Sequence, residues 1–223
     1  MTPFLEVLDL HLQYGAKSVL NGINIQLQRG QLAAICGLNG SGKSSLFRSI
    51  AGLTKWSSGE IKVDSIGLSN LTVRQRSNSI AYISTDRPRI QGLDVSTVLE
   101  MAAYGRIGAE AMNTHILRCL ALVQSLELAE RSLVQLSDGE MQKVMMARAL
   151  AQNTPIIVAD EPTSFLDYQA KRDMMQTLQK LAFEENKLVL FSSHDLELVK
   201  EFADLRFVLA NGTLKKLTSD ELI

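Results

Sequence analysis

The sequence predicts an α/β fold in which a mostly parallel β-sheet is covered by helices. Continuous apolar runs of strand length suit strands that are buried on both faces, as the strands of parallel sheets are. These runs occupy residues 32–36, 156–159, 188–191 and 207–210. Helical patterns separate them, and in residues 173–182 the apolar positions keep i, i+4, i+7 and i+8 spacing. Strands that alternate with helices favour a layered α/β architecture.

Other parts of the chain have different patterns. Near the start, residues 8–14 alternate apolar and polar side chains, which is typical of a half-buried strand. Residues 95–150 carry little strand signal and much helical signal, for example the spacing of Met112 and Ile116, so we expect a helical insertion in the α/β core. Residues 207–214 predict a hairpin that turns through an Asn-Gly pair.

Composition limits the class of protein. The chain has 223 residues, which predicts one large domain or a domain with an insertion. Hydrophobic residues make up 46% of the chain and charged residues 21%, so an intrinsically disordered chain is excluded. The 23 lysines and arginines nearly balance the 24 aspartates and glutamates. This balance argues against a broadly basic nucleic-acid surface, and we expect no nucleic-acid partner.

Cysteine content and hydropathy predict a reduced, cytosolic chain. Cys36 and Cys119 are too few for a disulfide framework or a four-ligand zinc site. Residues 1–6 lack the basic and apolar pattern of a signal peptide. The apolar runs fall far short of the ~20 residues that span a bilayer, so we expect any membrane role to go through a partner.

A glycine-rich segment predicts a phosphate-binding loop. Residues 37–44 fit the pattern G-x-x-x-x-G-K-[ST] directly after a buried strand and before a helical run. Glycines let backbone N–H groups approach an anion, and the following helix N-terminus adds partial positive charge. We expect Lys43 to reach the outer phosphates and Ser44 to bind Mg²⁺. The candidate nucleotide-binding residues of this P-loop NTPase motif are Gly37, Asn39, Gly40, Ser41, Gly42, Lys43, Ser44 and Ser45.

Acidic residues follow a second buried strand. Asp160 and Glu161 end the apolar run 156–159, and adjacent strand-end carboxylates can serve a metal and a base. We expect Asp160 to hold the Mg²⁺ shell and Glu161 to polarise the attacking water. His194 follows the strand at 188–191, where a neutral imidazole can contact the terminal phosphate. Glu161, His194 and Lys43 are therefore the candidate catalytic residues.

Five motifs in order make the chain resemble the nucleotide-binding domains of ABC-type ATPases. They are the phosphate loop, residues 136–142 (the signature segment), Asp160-Glu161, residues 164–167 and His194. The resemblance implies a mostly parallel core sheet, an N-terminal antiparallel β subdomain and an inserted helical subdomain. The implied bounds are 1–85 and 154–223 for the core with its β subdomain, and 86–153 for the helical subdomain.

The resemblance also implies partners and further site residues. Two such domains pair head to tail, with ATP between the phosphate loop of one and the signature segment of the other, which places Ser137 and Gly139 against the nucleotide. Tyr14 is then expected to stack on adenine, and Asp167 to communicate across the dimer. The implied partners are a second nucleotide-binding subunit, either an identical copy, which we favour, or a related chain, and a separate membrane-spanning permease, with the chain at the cytoplasmic face of the cell membrane.

The sequence departs from the family pattern in two segments. Where the usual signature reads Leu-Ser-Gly-Gly-Gln, this chain has Asp138 and Glu140. Glu140 completes a capping box with Ser137. A carboxylate ~6 Å from a phosphate charge costs about 3 kcal/mol at an effective dielectric of ~20, so we expect the side chain of Asp138 to point away from the nucleotide. Where the family places a Mg²⁺-contacting Gln, this chain has Thr85, which can reach the metal through water; Gln91 is the alternative.

Residues 136–152, together with residues 97–100 followed by Gly105-Arg106, resemble importer ATPases for iron chelates, haem and cobalamin. The leading hypothesis is therefore a transport motor of that kind. Two alternatives are a soluble ABC ATPase such as an iron–sulfur assembly factor, and a regulatory nucleotide-binding subunit with little turnover. Glu161 and His194 argue against the regulatory subunit, because removing a positioned base costs about 10²–10⁴-fold in rate and this chain retains both residues.

Overall fold

Two β-sheets and seven α-helices make up the described part of the chain, residues 2–86 and 88–218, in the computed structural model. The strands are β1 Leu5–Tyr14, β2 Lys17–Leu27, β3 Leu32–Cys36, β4 Ser58–Val63, β5 Ile66–Gly67, β6 Ile80–Ile83, β7 Ile156–Ala159, β8 Leu188–Ser192, β9 Leu205–Ala210 and β10 Thr213–Lys216. The helices are α1 Lys43–Ile50, α2 Val73–Ser79, α3 Val95–Ala103, α4 Ala109–Leu122, α5 Asp138–Ala151, α6 Tyr168–Phe183 and α7 Leu196–Phe202.

The larger sheet has six strands in the order β10-β9-β3-β8-β7-β6. Each neighbouring pair from β9 to β6 is parallel. The apolar runs at 32–36, 156–159 and 188–191 form strands that are buried on both faces, as predicted. The run at 207–210 forms part of β9, but the prediction that it is buried on both faces is wrong: Val208 is half-buried and Ala210 exposed, because β9 lies beside the edge strand β10. Only β10 is antiparallel, and it forms the predicted hairpin with β9. Asn211 and Gly212 adopt φ of 51° and 74°, the left-handed values that a two-residue hairpin turn requires. The predicted α/β fold is thereby confirmed.

The smaller sheet is antiparallel, in the order β2-β1-β4-β5. Along β1, buried and more exposed residues alternate because one face covers the core. The alternation is interrupted near Asp9, whose φ is 45°, where the register of β1 shifts. Gly59 of β4 crosses β1 there, and a Cβ on it would lie 2.3 Å from the Asp9 carbonyl oxygen. Only glycine permits this approach.

Helices α3, α4 and α5 lie between β6 and β7 in the chain and pack on one another. They correspond to the helical insertion expected from the sequence. The exact subdomain bounds stay a prediction, and residues 1, 87 and 219–223, which those bounds include, lie outside the described residues. In the described ranges, none of the helices has the length and apolar character needed to cross a bilayer.

The six-stranded sheet separates two hydrophobic clusters. In β3, Leu32, Ala34 and Cys36 pack in the cluster that contains α3 to α6, whereas Ala33 and Ile35 pack in the cluster that contains α1 and the smaller sheet. This alternation follows from the period of two in a strand. Packing on both faces of the sheet holds the strand ends in position. The candidate site lies at the carboxyl ends of these strands.

Candidate functional site

The carboxyl ends of four parallel strands bring the predicted site residues to one edge of the larger sheet. β3, β8, β7 and β6 are neighbours in that order. The phosphate loop follows β3, residues 193–195 follow β8, Asp160 and Glu161 follow β7, and residues 84–86 follow β6. Ligands of open α/β sheets bind outside the carboxyl ends of the strands.

The phosphate loop is shaped by a glycine that no other residue can replace. Gly37 has φ of 151°, and a Cβ on it would lie 2.4 Å from the Leu209 carbonyl oxygen and 2.8 Å from Ser41 Oγ. Lys43 is only 7% exposed. Its Nζ donates hydrogen bonds to the carbonyl oxygens of Gly37 at 2.8 Å and Leu38 at 3.2 Å. The loop thus curls around its own ammonium group.

The loop and the start of α1 fit an anionic phosphate group. Ser41 Oγ is buried and has no hydrogen-bond partner among the described residues. Helix α1 begins after Gly42 with no side-chain cap and no acidic residue in its first turn. An uncapped helix N-terminus offers free N–H groups and partial positive charge. Ser44 is exposed and Ser45 half-buried on this turn, so the Ser44 hydroxyl is accessible to a cation that accompanies the phosphates.

Asp160 and Glu161 are held by one serine. Asp160 is 2% exposed, and its Oδ1 accepts a hydrogen bond of 2.7 Å from Ser192 Oγ. The same Ser192 oxygen accepts the backbone N–H of Glu161 at 2.9 Å. The hydroxyl therefore joins the ends of β7 and β8. The Asp160 carboxylate and the Ser44 hydroxyl, both at this sheet edge, are hard oxygen groups of the kind that Mg²⁺ prefers.

Glu161 faces His194. The Glu161 side chain is 21% exposed, and its Oε2 lies 3.6 Å from His194 Nδ1. Ser164 Oγ donates to the same Oε2 at 3.1 Å, which orients the carboxylate. His194 is 67% exposed and therefore accessible to a ligand. The structure thus brings together the acid and the histidine that the sequence predicted from distant segments.

We expect Ser192→Ala to destabilise the protein by about 2 kcal/mol, because it leaves the buried carboxylate of Asp160 and the N–H of Glu161 without their hydroxyl partner. Urea unfolding at pH 7 measures the change. Ser49→Ala is the matched control: Ser49 is also fully buried, but its hydroxyl donates only to the Ser45 carbonyl, one turn earlier in α1. Equal unfolding midpoints for the two variants would contradict the role given to Ser192.

The signature segment begins α5 with the predicted capping box. Ser137 Oγ accepts the backbone N–H of Glu140 at 3.3 Å, and Glu140 Oε2 accepts the backbone N–H of Ser137 at 2.8 Å. Hydrogen bonds to the Glu140 carboxylate, first from the Ser137 backbone N–H and then from the Ser137 side chain, lower the pKa of Glu140. Gly139 sits against the loop after β7, where a Cβ would lie 3.2 Å from the Phe165 carbonyl oxygen. Buried Gln142 donates to the Pro162 carbonyl at 2.9 Å and joins α5 to that loop.

Other predicted site residues lie around this edge. Tyr14 is half exposed at the end of β1. The neighbouring strand β2 packs against Gly42 of the phosphate loop, just before α1. Asp167 is the N-cap of α6, where its Oδ1 accepts the Ala170 N–H at 2.8 Å. Thr85 and Gln91 are both exposed in the loop after β6, so the geometry leaves both available as the residue that replaces the usual Gln.

Cys36 abuts the phosphate loop without taking part in its chemistry. It is the last residue of β3 and is 3% exposed. Burial raises the pKa of its thiol, although the positive charges of Lys43 and Arg206 oppose the shift. The thiol therefore stays protonated at neutral pH and packs as a small apolar side chain.

Sequence reasoning assigned no role to Ser192 or Gln142, although each positions the site. A signal for Ser192 was present: a hydroxyl at the end of an otherwise apolar strand, two residues before His194. Gln142 has no such signal, because its partner Pro162 is 20 residues away in sequence. Asp138 carries a contact that was likewise not foreseen, an ion pair with Arg89 of 2.7 Å.

Comparison with known proteins identifies the family. A model of the ABC transporter family matches residues 20–164. An uncharacterised ABC transporter ATP-binding protein of Methanocaldococcus jannaschii is 33% identical over 93% of this chain and 73% of that protein. The chain belongs to the ABC transporter family. The ABC ATPase fold predicted from the sequence is thus confirmed, with its P-loop core, antiparallel N-terminal sheet and helices.

Other similar ABC proteins carry names that state a cargo. The sulfate/thiosulfate import ATP-binding protein CysA of Salmonella typhi is 32% identical over 98% of this chain, which spans only 61% of that relative. The petrobactin import ATP-binding protein FpuD of Bacillus anthracis is 31% identical over 100% of this chain and 86% of that protein. A solved ATP-binding cassette, dimeric in a post-hydrolysis state with ADP and Pi, superposes with a TM-score of 0.87 at 28% identity, covering 96% of this chain and 98% of that cassette.

Proposed function

We propose that this ABC ATPase is the motor subunit of a membrane transporter, that it works as a head-to-tail homodimer, and that each ATP lies between one copy's phosphate loop and the other copy's signature segment. The observation that carries the proposal is the meeting of the phosphate loop, Asp160, Glu161 and His194 at one sheet edge. In this proposal residues 1–85 and 154–223 form the core and residues 86–153 the helical subdomain.

The phosphates of ATP would be held by the loop and the start of α1. Backbone N–H groups in the uncapped first turn of α1 would donate to the anion, the buried Ser41 hydroxyl would gain its missing partner, and Lys43 would donate from Nζ to the outer phosphates. On binding, Nζ would give up its hydrogen bonds to two loop carbonyls and donate to phosphate oxygens in their place. Tyr14 would stack on the adenine ring. Gly37 is required for the loop to form at all.

Mg²⁺ fits the oxygen groups beside this loop. The Ser44 hydroxyl and the Asp160 carboxylate would hold it, and Thr85 would reach it through water. The ion, when bound, neutralises charge on the transferring phosphate. Ser192 would keep Asp160 oriented for this contact by donating to Oδ1. Few protein ligands suffice, because Mg²⁺ commonly keeps waters and phosphate oxygens in its shell.

Glu161 would orient the attacking water and accept its proton. Among the described residues, its Oε2 is engaged by Ser164 and lies near His194, so Oε1 is the oxygen presented to a water. The exposed imidazole of His194 would donate a hydrogen bond to the terminal phosphate while its other nitrogen faces Glu161. This division of work is general base catalysis with electrostatic support.

The dimer would complete the site from the other side. Ser137 and Gly139 of one copy would contact the phosphates bound by the other copy. Asp167 would take part in communication across the dimer. The Ser137 hydroxyl, which interacts with the Glu140 carboxylate in the single chain, would turn its proton to the phosphate on dimerisation, while Oγ keeps a lone pair to accept the Glu140 N–H. A similar cassette has been solved as a dimer with ADP and Pi, which supports this arrangement.

A permease partner and an iron-chelate, haem or cobalamin cargo complete the proposal, with the chain on the cytoplasmic face of the membrane. The petrobactin import relative supports the cargo, and the sulfate import relatives make sulfate the competing cargo. Met101 and Tyr104, near the end of α3, are large side chains that are 65% and 82% exposed, as expected where a partner covers them. We place the permease contact there.

Membrane co-purification tests the transport role. We expect the tagged chain, extracted from its own cells in mild detergent, to bring a multi-span permease with it. Tyr104→Asp is expected to reduce the recovered permease at least about fivefold, because a carboxylate in an apolar contact is costly to desolvate. Phe183→Asp, a similar change at an exposed aromatic on α6, is the control. Recovery of the chain only from the soluble fraction would contradict a transport role and favour the soluble ABC ATPase.

A further inference from the structure

The first turn of α5 carries two carboxylates, and each is paired with an arginine from another segment. Arg89 Nη2 lies 2.7 Å from Asp138 Oδ1, and Arg131 Nη1 lies 3.0 Å from Glu140 Oε1. Arg89 belongs to the loop between β6 and α3, whereas Arg131 lies just before α5 in the chain. The two arginines offset both negative charges of the turn.

The two carboxylates differ in what else they do. Glu140 is committed to the capping box, since its Oε2 accepts the Ser137 N–H at 2.8 Å. Asp138 is outside that box, and its side chain is 52% exposed. A carboxylate stabilises a helix N-terminus, but it also cancels the positive end of the helix that would attract a nucleotide. The charge of Asp138 is therefore the one that the capping box does not use.

We propose that Arg89 is a positioning residue that neutralises Asp138 and so allows the signature turn to accept the nucleotide bound by a second copy. This inference rests on the head-to-tail dimer proposed above. Arg89 reaches Asp138 across 49 residues of sequence, so the contact also ties the loop after β6 to the start of α5. The position of that loop thereby sets the net charge that the signature turn presents to ATP.

Steady-state ATP hydrolysis at low ionic strength tests the proposal. Arg89→Ala is expected to raise the KM for ATP by up to about fivefold, the range of an exposed charge pair, with kcat changed less than twofold. Asp138→Asn is expected to lower the KM, because Arg89 then contributes an unopposed positive charge. The double variant is expected to return the KM to within about twofold of the wild type, and Arg89→Lys to restore most of the affinity.

Further readouts separate this electrostatic effect from a structural one. The KM defect of Arg89→Ala should shrink between about 50 mM and 500 mM salt, because screening shortens the reach of the exposed carboxylate. In the Glu161→Gln background, Arg89→Ala should also raise the ATP concentration needed for dimerisation. Arg118→Ala, which breaks the pair between Arg118 of α4 and Glu185 just after α6, is the control and should show none of these changes.

Two results would overturn the inference. An unchanged KM in Arg89→Ala, or an equal increase in KM with and without the Asp138→Asn change, would show that Arg89 does not act through Asp138. Failure of the wild type to dimerise with ATP or to hydrolyse it would instead refute the proposed function, and this inference with it. Thermal unfolding and gel filtration of each variant confirm that the compared proteins are folded.

Discussion

Glu161→Gln is expected to abolish ATP turnover while ATP binding is retained. The amide keeps the shape of the side chain but cannot accept a proton from water, and removing a positioned base costs about 10²–10⁴-fold in rate. The neighbours of Glu161 remain, since Ser164 can still donate to a carbonyl oxygen and Ser192 still accepts the backbone N–H. With hydrolysis blocked, an ATP-bound dimer should accumulate.

Three measurements check this result. Phosphate release gives the turnover, calorimetric titration gives the ATP affinity, which should change less than about threefold, and sedimentation velocity detects the dimer. Glu184→Gln, at an exposed glutamate after α6, is the matched control and should behave as the wild type. Wild-type turnover by Glu161→Gln would remove Glu161 from its assigned role.

Lys43→Ala is expected to weaken MgATP binding by about 10–100-fold. A hydrogen bond to a charged group contributes about 1.5–3 kcal/mol, which corresponds to that range. The lost ammonium group is expected to contact the nucleotide directly, because the carbonyl oxygens of Gly37 and Leu38 hold it inside the loop. Turnover at moderate ATP concentrations should be lost as a consequence of the lost binding.

Binding isotherms for ATP with and without Mg²⁺ measure this change. Lys180→Ala removes an exposed lysine near the end of α6 and serves as the control. Because Lys43 is almost fully buried, its removal also leaves two loop carbonyls without a donor, so the unfolding free energy of the apo protein is measured in parallel. An ATP affinity equal to that of the wild type would refute the phosphate loop as the binding site.

The sequence predicted much of the fold and the centre of the site, because both depend on local patterns. Apolar runs marked β3, β7 and β8, and side chains just after the ends of parallel strands meet at one edge. The sequence alone therefore predicts that Lys43, Glu161 and His194 lie at the same edge of the sheet. The capping box of Ser137 was also predictable, since it spans three residues.

Contacts between distant segments could not be predicted in the same way. The pairing of Arg89 with Asp138 depends on the path of the loop after β6, and Gln142 finds Pro162 only because α5 packs beside β7. No periodicity or motif encodes such contacts. The sequence indicated that the negative charge of Asp138 would repel the phosphates, and it predicted only that the side chain points away from the nucleotide. In the structure, pairing with Arg89 offsets that charge.

The bridging role of Ser192 has a consequence for how such a motor evolves. Because one hydroxyl binds both Asp160 and the main chain of Glu161, a shift of β8 along β7 displaces both residues, which we propose face the cation and the attacking water, at the same time. In the proposed mechanism, selection on hydrolysis speed through this serine would also alter magnesium affinity. A substitution that slows hydrolysis through Ser192 would therefore change magnesium affinity as well. A change in hydrolysis rate alone would have to come from other residues.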